Sequence, residues 1–69
     1  MTNDFLTALE TAYNIAQNKE IPYTERRETV KQYYNKANSI YRKIYKDLSY
    51  WERREAREPI NDLKKHFRF

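Results

Sequence analysis

From Thr24 to Trp51 the apolar residues return on one side of a helix for about seven turns, which restricts the chain to folds that can cover a long helical face. At 100° per residue, Val30, Tyr33, Tyr34, Ala37, Ile40, Tyr41, Ile44, Tyr45, Leu48 and Trp51 fall within an arc of roughly 140°. Lys31, Gln32, Asn35, Lys36, Asn38, Ser39, Arg42, Lys43, Lys46 and Asp47 occupy the remainder. An arc that wide exceeds a two-position coiled-coil seam and calls for partner helices on more than one side. Ile40 and Ile44 lie at its centre and are expected to be core residues.

The flanking segments supply the partners. In the first, Phe5, Leu9, Ala12 and Ala16 form a stripe, widened by Leu6, Ala8, Tyr13 and Ile15. Thr2 or Asn3 suits its N-cap, Asp4 its first turn, and Asn18 its stop. Lys19 to Thr24, with Pro22, is a connection that no helix crosses unbroken. Thr24 is then expected to cap the long helix, with Glu25 and Glu28 near its positive end. In the last segment Ala56, Ile60, Leu63 and Phe67 repeat at steps of four, three and four.

The junction between the second and third helices is ambiguous. Ser49-Tyr50-Trp51-Glu52 matches the capping-box pattern that starts a helix. Pro59, in turn, suits the first turn of a short helix, where its missing N–H is no loss. The expected spans are Asn3 to Gln17, Thr24 to Leu48 and Pro59 to Phe67, with Ser49 to Glu58 helical in one phase or the other. The chain has no Gly, which tight hairpins need for positive φ. The fold class is therefore all-α, a small three-helix bundle with a long central helix and a shorter helix on each side, in one domain spanning residues 1–69.

Catalytic chemistry finds little support. Without Gly there is no phosphate-cradling loop, and without Cys no thiolate or disulfide. His66 is the only imidazole. Glu52, Glu55 and Glu58 form a carboxylate row, but Arg53, Arg54 and Arg57 interleave with it and oppose cation binding. No catalytic, metal or cofactor site and no small-molecule substrate is expected. The absence of a basic leader or a long apolar run points to a cytoplasmic protein without a membrane partner.

Two surfaces are candidates for binding. Tyr50, Trp51, Arg54 and Arg57 are residue types enriched at protein interfaces, and they gather where the long stripe ends. Tyr50 has the least reason to be aromatic, because it lies among polar positions. The second is a basic ridge of Lys36, Arg42, Lys43, Lys46, Arg53, Arg54 and Arg57, which share an arc of about 120° provided that one helix runs on to Arg57. With a net charge of +4, such a strip suits a phosphate backbone, with Tyr50 available to stack on a base. The preferred expectation is a non-enzymatic interaction module that binds another protein or a second copy as regulator or inhibitor. Abundant Lys, Asn, Ile and Tyr, as AT-rich coding sequence supplies, fit a low-GC bacterium or one of its phages or plasmids. The alternative is a nucleic-acid-binding accessory protein.

Overall fold

Local signals at Asn18, Pro22, Ser49 and Arg68 set most of the helix boundaries among the described residues. The computed structural model describes residues 3–69. Over these the chain forms α1 (Asn3–Gln17), α2 (Tyr23–Ile44) and α3 (Tyr50–Phe67), with one 3-10 turn at Tyr45–Asp47 after α2. No strand occurs among the described residues. The architecture is the expected small all-α bundle, and α1 has the expected limits. Asn3 is itself the first helical residue, and Thr2 lies outside the described residues. Asn18 ends the helix. Its N–H donates to the Ile15 carbonyl at 3.1 Å, and its side-chain oxygen accepts the Glu20 N–H at 3.1 Å.

α2 departs from expectation at its start. Pro22, extended at φ −54° and ψ 145°, is the N-cap, and its carbonyl accepts the Arg26 N–H at 2.8 Å. Thr24 is already inside the helix and caps nothing, because the fixed φ of proline sets the entry two residues earlier.

α3 is the larger correction. It starts at Tyr50 rather than Pro59, capped by Ser49 in a complete capping box. The Ser49 hydroxyl accepts the Glu52 N–H at 3.3 Å, and the Glu52 carboxylate accepts the Ser49 N–H at 3.1 Å. Pro59 lies within the helix, where it has no N–H for the Glu55 carbonyl. Its own carbonyl accepts the Tyr13 hydroxyl at 3.2 Å, tying α1 to α3 at that level.

The order is up, down, up. At the far end of α3 the N–H groups of Arg68 and Phe69 both donate to the Lys64 carbonyl, with Arg68 left-handed at φ 56° and ψ 48°. Arg27, from the start of α2, donates through Nε to the Phe67 carbonyl at 3.0 Å and through Nη2 to the Arg68 carbonyl at 3.3 Å. A cation on the negative end of a helix is favourable, and here it also satisfies carbonyls with no intrahelical partner. Phe69 folds back beside Phe67, at 5.6 Å between ring centroids, and Tyr34, at 4.9 Å.

The core consists of Phe5, Ala8, Leu9 and Ala12 from α1, Val30 and Ala37 from α2, and Ala56, Ile60, Leu63 and Phe67 from α3. The α3 stripe is the one expected. On α2 the fully buried positions are Val30 and Ala37, whereas Ile40 and Ile44 are half-buried. The tyrosines explain the shift, since Tyr33, Tyr34 and Tyr41 also pack half-buried against the core. Leu63, at 2 % exposure, is among the best-buried side chains. Leu63→Ala is expected to lower stability by about 2 to 5 kcal/mol. Ile44→Ala should cost less than half of that, and Lys43→Ala on the outer face almost nothing. Urea unfolding of the three variants checks this order, and equal losses for Leu63 and Ile44 would contradict the core described.

Candidate interaction surface

Leu48 and Ser49 are extended, at ψ 143° and 168°, so the chain leaves the α2 axis before α3 begins. Trp51 therefore belongs to α3 and not to the stripe of α2. The expectation that it faces inward is corrected: Tyr50 is 68 % exposed and Trp51 66 %. Their rings meet edge to face with centroids 5.2 Å apart, and the Arg54 guanidinium lies 5.9 Å from the Trp51 ring. Leu6 and Tyr45 are exposed at the same end of the bundle, where α1 starts and α2 stops.

Beside them is an open depression of about 670 Å³, lined by Tyr41, Tyr50, Arg53, Arg54, Arg57, Glu58, Asn61 and Asp62. Three of the four residues expected at the protein-binding surface, Tyr50, Arg54 and Arg57, thus share one depression, and Trp51 joins them through ring contacts. Arg53 is committed elsewhere. Its Nε donates to the Tyr45 carbonyl at 2.6 Å and its guanidinium lies 5.4 Å from the Tyr45 ring, fastening the 3-10 turn to α3.

The basic ridge does not form as one strip. Lys36, Arg42, Lys43 and Lys46 are exposed on α2 and the turn after it, whereas Arg53, Arg54 and Arg57 are on α3, across the extended Leu48-Ser49 link. The capping box ends the common helical phase on which the ridge depends.

Among the described residues, Glu52 and Tyr13 have perturbed acidities. The Ser49 N–H, and after it the Ser49 hydroxyl, hold the Glu52 carboxyl below the usual range. Burial, then the negative charges of Asp62 and Glu58, push the Tyr13 phenol up and keep it a neutral donor to Pro59. Sequence reasoning missed both Tyr13 and Arg27, because each acts on a residue about 40 or more positions away that periodicity does not reveal. Among the described residues no cluster of His, Cys, Asp or Glu is arranged to hold a metal ion, and no helix is long and apolar enough to cross a membrane. No family model matches the chain, and comparisons with curated proteins and with solved structures gave no match.

Because the Glu52 carboxyl is lowered in the fold, its contribution to stability is present above the unfolded carboxyl pKa and is lost as pH falls through the folded one. Glu52→Gln keeps the shape but carries no charge. The wild type is expected to melt above this variant at neutral pH, with the gap closing between about pH 5 and pH 3. Melting curves across that range decide it, and a gap that persists unchanged in acid would mean that the box does not depend on the charge.

Proposed function

We propose that the protein is a small, non-enzymatic helical interaction module, acting in the cytoplasm as a regulator or inhibitor of another protein, with Tyr50, Trp51, Arg54 and Arg57 as its contact surface. The observation that carries this reading is the pair of large aromatics, each about two-thirds exposed, held side by side on a capped first turn. Exposing two such rings wastes apolar area that a chain this short needs for its core. Tyr, Trp and Arg are also the residues in which interface energy concentrates. The Ser49 capping box defines the helix turn that presents them.

A nucleic-acid partner is the second reading. It is favoured by the shared depression, which sets Arg54 and Arg57 beside Tyr41 and Tyr50, cations next to rings on which bases stack. Salt separates the two readings, since phosphate contacts weaken steeply as ionic strength rises and aromatic anchors do not.

Tyr50→Ala and Trp51→Ala are expected to leave the melting temperature nearly unchanged and to weaken partner binding or self-association by about 1 to 3 kcal/mol each. Sedimentation of the isolated chain, and pull-downs with and without nuclease at two salt concentrations, provide the measurement. Variants that bind like the wild type would place the interface elsewhere. Binding abolished by nuclease would favour the second reading.

A further inference from the structure

A pocket of about 510 Å³ opens near the other end of the bundle, where the end of α1, the connection after it, the start of α2 and the later turns of α3 meet. Ala16, Leu63 and the Tyr13 ring line it with apolar surface. The Tyr13 hydroxyl is already spent on the Pro59 carbonyl. Lys19, Arg26, Asp62 and His66 border it, each reaching it from a different part of the sequence or a different turn of α3. Two positive groups, Lys19 and Arg26, against one negative, Asp62, leave one positive charge in excess with His66 counted neutral.

Arg26 gives the pocket its chemistry. Its Nη1 donates to the Asn18 carbonyl at 3.4 Å, near the limit for a hydrogen bond, and its guanidinium lies 5.7 Å from the Tyr23 ring. Among the described residues, Arg26 Nε is the buried side-chain polar atom without a hydrogen-bond partner. The Nε and Nη2 edge of a guanidinium is the fork that fits the two oxygens of a carboxylate. With Nη1 turned to Asn18, that edge has no acceptor. Its Nε is closed to bulk water, and a small rotation of the side chain, weakly opposed by so long a bond, presents the edge to the pocket.

We infer that this pocket binds a small organic monoanion, a carboxylate on a compact aromatic or aliphatic body. The carboxylate sits on the Nε and Nη2 edge of Arg26 beside Lys19, and the body lies against Ala16, Leu63 and the Tyr13 ring. The volume is within the range of ligand pockets, roughly 300 to 1,000 Å³. A single excess positive charge matches a single negative one. A phosphate dianion would meet the Asp62 carboxylate with its second charge uncompensated. This site is separate from Tyr50 and Trp51, and the inference does not depend on the proposed function.

The test is a heteronuclear NMR titration of the full chain with benzoate, benzyl alcohol, inorganic phosphate and chloride. Benzoate is expected to saturate with a dissociation constant of order millimolar. It should move the amides of Ala16 to Lys19 and Leu63 to His66 and shift the Arg26 Nε–H resonance, leaving Tyr50 and Trp51 unmoved. Arg26→Gln should weaken benzoate about tenfold or more, as expected for a lost charge-assisted pair. If Arg26→Gln melts early, Lys19→Gln on the exposed connection decides, with clearly weaker binding in support and unchanged affinity against. Equal responses to phosphate or chloride, benzyl alcohol binding as tightly as benzoate, or no saturable shift would each overturn the inference.

Discussion

A helix end must find partners for backbone groups that the helix itself leaves unpaired, and a chain without glycine has few ways of doing so. Several boundaries among the described residues answer that constraint, and Pro22 sets another by its backbone alone. Asn18 closes α1 with its own amide, Pro22 opens α2 with a fixed φ, and Ser49 with Glu52 opens α3. At the end of α3 a non-glycine residue, Arg68, takes the left-handed conformation that glycine adopts most easily. Arg27 makes that arrangement tenable by binding the two carbonyls next to it. The direction of each helix, and so the placing of each surface residue, follows from these few bonds.

The core is correspondingly economical. Four of its ten described side chains are alanines, and the large apolar side chains are Phe5, Leu9, Val30, Ile60, Leu63 and Phe67. Tyrosines close the margins. Tyr33, Tyr34 and Tyr41 of α2 pack half-buried against the core, a position that lets a ring cover apolar surface without its phenol being sealed from water.

Periodicity made much of this legible in the sequence. The faces of α1 and of the Ala56, Ile60, Leu63, Phe67 stripe follow from spacing, and the limits of α1 from Asn3, Asn18 and Pro22. The start of α3 was a contest between two local signals. A capping box satisfies two backbone donors at once, and a proline inside a helix is tolerated when its neighbours are held by other contacts, so the box prevailed. That outcome also decided the surfaces, since the basic ridge needed one unbroken helix whereas the Tyr50, Arg54, Arg57 grouping needed only α3. What the sequence did not reveal was long-range. Nothing in the spacing of Arg26, Arg27 or Tyr13 indicates that they reach Asn18, the end of α3 or Pro59.

Pro59 also divides α3 into two regions of unequal holding. The later turns contribute Ile60, Leu63 and Phe67 to the core and are fastened by Arg27. The earlier turns contribute only Ala56, are held by the Ser49 box and the Arg53 bond to Tyr45, and lack the ladder bond that a residue other than proline would donate to Glu55. Local opening is cheapest where few apolar contacts resist it, so backbone amides of the Tyr50 end are expected to exchange with solvent ahead of those beyond Pro59. The helix thus joins a firmly anchored half to one with few apolar anchors, and the exposed aromatic rings are mounted on the sparsely anchored half.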